Sequence, residues 1–86
     1  MNVQNMQSSR GNDVANQFII TDGNKTTFQS YSSVIAVNDN GAITLDENTW
    51  DYSTTTGKYR NQFLGEGIAE TRRKIKAGVY KLDNLN

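Results

Sequence analysis

The sequence predicts an α+β fold: a small antiparallel β-sheet of about four strands over residues 16–46, packed on one face by two C-terminal helices. Three observations carry this. Short β-branched and aromatic runs alternate with Gly- and Asn-rich turns up to Asp46. Beyond Ser53 the apolar spacing changes from two to a helical period. Gly65 and Gly78 then stand where two helices in succession would end.

Residues 1–14 are polar, and Ser8-Ser9-Arg10-Gly11-Asn12-Asp13 reads as a flexible tail. Met1, Val3, Met6 and Val14 are its only anchors, so the domain is expected to span residues 15–86. Asn16–Thr21, with Phe18-Ile19-Ile20, is the first strand. Asp22-Gly23-Asn24-Lys25 supplies a turn, and Thr26–Tyr31 returns as its partner. Val34–Val37 is the third strand, with a short helix capped by Ser30-Tyr31-Ser32-Ser33 as the alternative. Asn38-Asp39-Asn40-Gly41 is the strongest turn signal in the chain, because Asn and Gly tolerate the positive φ of a tight hairpin. Ala42–Leu45 closes that hairpin.

Ser53 is a good N-cap for a helix over Thr54–Leu64, whose Tyr52, Thr56, Tyr59 and Phe63 line one side. Three threonines and Gly57 each lower its propensity by roughly 0.5–1 kcal/mol, so packing must hold it. Ile68–Ala77 is the stronger helix, with Glu70 in its first turn and Lys74 and Lys76 in its last. Val79–Leu82 leaves room for a short last strand.

Composition narrows the chemistry. The 86 residues contain no His and no Cys, which removes zinc fingers, disulfides, thiol nucleophiles and His-based triads. The longest apolar run, Val34-Ile35-Ala36-Val37, is far short of the roughly 20 residues of a membrane helix. Without disulfides or a signal-like start, a cytoplasmic home is expected. Nine basic and nine acidic residues cancel, but residues 1–49 carry −3 and residues 50–86 carry +3.

Two motifs resemble ligand loops and fail on inspection. Asn38–Glu47 overlays much of a calcium loop, but Ala36 stands at the first ligand position, so a hairpin is the better reading. Thr54–Lys58 brushes against a phosphate loop, yet Tyr52 replaces the leading Gly and Tyr59 the magnesium-binding hydroxyl. Asp46, Glu47 and Asp51 cluster near a turn, where capping and solvation are their expected roles. The sequence therefore predicts no enzyme, no metal and no cofactor.

The basic helix offers a surface. Arg72, Arg73 and Lys76 share one face with Ala69, opposite Ile68, Thr71 and Ile75, and Lys58 and Arg60 extend the patch. These cations suit an acidic protein surface, nucleic-acid phosphates, or solvent alone.

The run Trp50-Asp51-Tyr52-Ser53-Thr54-Thr55-Thr56-Gly57-Lys58-Tyr59, continuing to Phe63-Leu64-Gly65, resembles the signature W-D-Y-S-x-T-T-x-K-H/Y-x-x-x-F-L. That signature marks a small uncharacterised protein family of bacteriophages and other mobile elements. Phe28-Gln29-Ser30-Tyr31 with Val34-Ile35-Ala36, and Glu70–Lys76 with Gly78, resemble its flanking segments. The resemblance implies a phage-type setting in the host bacterial cytoplasm and brings no catalytic residues. Physically the motif reads as architecture, with Trp50, Tyr52, Tyr59 and Phe63 anchoring a helix on a sheet. The expectation is a non-enzymatic accessory protein that binds a host protein or ribonucleoprotein stoichiometrically, as an inhibitor of a defence or nucleic-acid-processing complex. The alternative is a small nucleic-acid-binding accessory protein that uses the basic helix.

Overall fold

The computed structural model describes residues 1–86 as an α+β fold with a six-stranded mixed sheet and two helices. The strands are β1 (Asn2–Gln7), β2 (Asp13–Asp22), β3 (Lys25–Ser30), β4 (Ser33–Asp39), β5 (Ala42–Asp46) and β6 (Lys81–Asp83). They lie in chain order across the sheet. The helices α1 (Thr54–Leu64) and α2 (Ile68–Lys76) fall between β5 and β6. That crossover explains the sheet's mixed character. Consecutive hairpins make β1 to β5 antiparallel, whereas a strand returning after two helices lies parallel to β5.

The flexible tail expected over residues 1–14 is instead a strand and a hairpin loop. β1 pairs along β2, from Asn2 opposite Thr21 to Gln7 opposite Asp13. Backbone pairing holds it, Met6 is buried in the core, and the Asn5 amide donates to the Val14 carbonyl at 2.9 Å. The polar loop is closed by its own groups. Ser8 N–H donates to the Asn12 carbonyl at 2.8 Å, and Gly11 N–H donates to the Ser8 carbonyl at 2.9 Å. No domain boundary falls at residue 15, because β2 begins at Asp13 and is paired on both sides.

The hairpin turns follow their residues. Asn40 and Gly41 both have positive φ, 52° and 95°, between the paired Asp39 and Ala42. Two successive positive φ values are what a type I′ turn requires. The Asn38 side chain accepts the Gly41 N–H at 2.8 Å, so the supposed calcium loop is a hairpin tip. No helix forms at Ser30–Ser33, where those two residues pair across a turn. Tyr31 takes a φ of 55° in that turn. Its N–H donates to the Asn16 carbonyl at 2.6 Å, and its carbonyl accepts from the Gln29 amide at 2.8 Å, which together hold the conformation.

Both helices lie on one face of the sheet. The core joins Met6, Phe28, Ile35, Ala36, Leu45, Tyr59 and Tyr80, with Trp50, Phe63, Leu64 and Ile75 packed against it. Phe28 meets Phe63 with ring centroids 5.9 Å apart. A polar clasp lies beside them, where the hydroxyls of Ser30 and Thr56 are 3.0 Å apart and buried. Tyr52 does not join the aromatic anchor. It precedes the helix and is 49% exposed.

Candidate functional site

α1 begins as its sequence requires. Ser53 is extended, and its hydroxyl accepts the Thr56 N–H at 3.1 Å, which satisfies one of the free donors at the helix start. Gly65 ends the helix with a φ of 70°, and its N–H donates to the Asn61 carbonyl. The inward stripe of α1 is Thr56, Gly57, Tyr59 and Arg60. The edge of that stripe at Gly57 and Arg60, with the start of α2, borders an open groove of about 530 Å³. Asp51, Ser53, Lys58, Arg60, Asn61 and Arg72 line it.

Of the cations singled out from the sequence, the groove brings Lys58, Arg60 and Arg72 together. Arg73 and Lys76 lie outside it, on the exposed side of α2. Arg60 is not a surface cation. Its side chain is 2% exposed, and its guanidinium carbon lies 5.5 Å from the Trp50 ring centroid. Nη1 donates to the Trp50 carbonyl at 2.7 Å and to Asp51 at 3.3 Å, while Nη2 donates to Asn61 at 2.9 Å. The cause is helical arithmetic: Arg60 is four residues after Thr56 and three before Phe63, so it shares their inward side.

The remaining cations divide by partner. Arg72 donates to Asp51 at 3.1 Å, so one carboxylate bridges a buried and an exposed arginine. Arg73 pairs with Glu70 one turn back, and its pKa is raised by that hydrogen bond. Lys58 sits 5.5 Å from the Tyr59 ring centroid. Lys58 and Lys76 are exposed and enter no ion pair. The surface is therefore interleaved, with cations set between Asp51 and Glu70.

A fourth cation of α2 turns inward. Lys74 donates to Glu66 at 2.7 Å, beside the Tyr80 hydroxyl, which donates to the same oxygen at 2.8 Å. The other Glu66 oxygen accepts from Thr71 at 2.7 Å. Burial pushes the Glu66 carboxyl up, but its bonds from Lys74, Thr71 and Tyr80 outweigh this and hold it below the ordinary range. The bond to Glu66 raises Lys74 in turn. This network fastens the α1–α2 turn to the far end of α2. Spacing along the chain did not reveal it, because Glu66 and Tyr80 are neighbours only in the folded chain.

Residues 1–78 match the family model of DUF8033, described as a family of unknown function. The chain belongs to this family. The DUF8033 match takes in β1 to β5 and both helices, so β1 and its loop lie within the family's span. No curated protein and no solved structure matches the chain. No helix is long and apolar enough to cross a membrane.

Proposed function

We propose that this protein is a non-enzymatic, phage-type accessory protein of the host bacterial cytoplasm. It binds a host protein or ribonucleoprotein stoichiometrically and inhibits a defence or nucleic-acid-processing complex. The phage setting rests on the resemblance of the Trp50–Gly65 motif. The binding mode rests on one observation: around the groove and along α2, Lys58, Arg72, Arg73 and Lys76 alternate with Asp51 and Glu70. A nucleic-acid backbone presents one sign of charge, and each carboxylate on the surface would repel it. A protein surface of mixed charge can match both signs and gains orientation from doing so. This favours a protein partner over nucleic acid.

The test is a nuclease-treated pull-down from host lysate, run beside a salt-titrated DNA-binding assay. Lys58→Glu with Lys76→Glu reverses the two unpaired cations of this surface and leaves the internal ion pairs intact. The expected result is capture of a host protein in fixed ratio by the wild type, and loss of that capture in the variant. Capture abolished by nuclease, together with steeply salt-dependent DNA binding, would replace this reading with the nucleic-acid one.

A further inference from the structure

Cross-strand partners point their side chains to the same face of a sheet. The register thus places Ile19, Phe28, Ala36 and Leu45 in one row; the last three belong to the core beneath the helices and Ile19 packs against it. The alternate residues belong to the opposite face, except Ile35, which the bulge opposite Phe28 and Gln29 turns into the core. There Val3, Ile20, Thr27, Val37 and Thr44 stand in register from β1 to β5. Phe18 lies in the next row, between Asn5 and Gln29. Val3, Phe18, Ile20 and Val37 are all outside the core cluster on which the helices pack, and Phe18, Ile20 and Val37 are half-buried. Val3 is 57% exposed.

We propose that this open sheet face packs against the same face of a second copy of the chain. An isologous contact needs a patch that complements itself. From β1 to β5 the central row is neutral, and Lys81, opposite Thr44 on the edge strand β6, is the single charge that continues it, so the middle of the face offers nothing to a strongly charged partner and does not repel its own copy. Its border at the hairpin tips, Asp22, Lys25 and Asp39 in register, carries both signs. The chain as a whole has zero formal net charge, which removes long-range repulsion between copies. The molecule measures 34 × 27 × 20 Å. Its broad outline is large enough for the roughly 800 Å² per partner of a standard interface, and sheet-on-sheet packing sets two such faces about 10 Å apart. The dimer leaves both grooves and both α2 faces turned outward, so it does not depend on the binding mode proposed above.

Light scattering on the full chain over a range of concentrations tests this. The wild type is expected to weigh as two chains. Thr27→Lys and Ile20→Lys are each expected to weigh as one, with unchanged far-UV circular dichroism, while Arg72→Glu on the opposite side of the molecule remains a dimer. Thr27 is outside the core, so its variant decides the matter should Ile20→Lys misfold. A wild type of single-chain mass at every concentration would overturn the proposal. So would a dimer that survives Thr27→Lys unchanged.

Discussion

Arg60 lies with its guanidinium over the Trp50 ring and donates to the Trp50 carbonyl at 2.7 Å. One side chain thereby ties α1 to the segment that leads into it. The same guanidinium touches Asp51 and Asn61, so the residue works as an internal clamp on the helix entry. Arg60→Ala leaves the Trp50 carbonyl without this donor and Asp51 with Arg72 alone. The expected loss is about 1–3 kcal/mol, the penalty for a buried acceptor left unmade. Urea denaturation measures it, and a midpoint equal to the wild type would show that the clamp contributes nothing.

Met6 is the only buried side chain of β1. Met6→Ala should destabilise the fold by about 2–5 kcal/mol, as for other core truncations. Thermal melting reads the effect directly. The amides of β1 that pair with β2 should also exchange slowly, and fast exchange throughout residues 2–7 would return that segment to the status of a tail.

Gln17 is 1% exposed, and neither its amide nitrogen nor its amide oxygen has a partner. A buried polar group without a hydrogen bond is destabilising, whereas an apolar group of similar shape is not. Gln17→Met is therefore expected to stabilise the protein by about 1–3 kcal/mol. For a domain of this size each 1 kcal/mol moves the melting temperature by roughly 4–8 °C. A lower melting temperature in the variant would count against the assignment of an unpaired amide.

Two buried carboxylates set the response to acid. Burial raises the Asp46 carboxyl, but hydrogen bonds from Leu85, Thr49 and Asn48 bring it below its ordinary value, as happens to Glu66. A carboxyl depressed by folding adds stability above its unfolded value and loses that contribution as pH falls through the folded one. Stability should thus be flat near neutrality and fall below the ordinary Glu and Asp values of 4.5 and 3.8. Lys74 is shifted up, so its contribution persists until strongly alkaline pH. Glu66→Gln should lower neutral stability by about 1–3 kcal/mol and flatten the acid limb. Unfolding curves taken from neutral to acid pH test both parts, and an unaltered acid limb would remove Glu66 from the account.

Local chemistry was legible wherever a residue's own backbone demand decided the structure. Asn40-Gly41 predicts its hairpin because few other pairs accept two positive φ values. Ser53 and Gly65 predict both ends of α1 because an oxygen acceptor is needed at one and a left-handed residue at the other. The side of α1 on which Arg60 falls was also available from its spacing to Thr56 and Phe63. Its charge argued for the surface, and packing against Trp50 overrode that argument.

The sequence by itself determined the α+β class, the hairpin tips at Gly23-Asn24 and Asn40-Gly41, both helices and the exposed position of Arg72, Arg73 and Lys76 on α2. These depend on contacts within a few residues, where φ preferences and helical periodicity act directly. Tertiary structure alone decided that a polar N-terminal segment becomes β1, that β6 joins parallel to β5, and that Glu66 gathers Lys74, Thr71 and Tyr80. Each of those depends on partners distant along the chain. A strand of Asn and Gln gains its place from the open edge of β2, and a buried carboxylate from donors assembled around it, so neither carries a signal in its own residues.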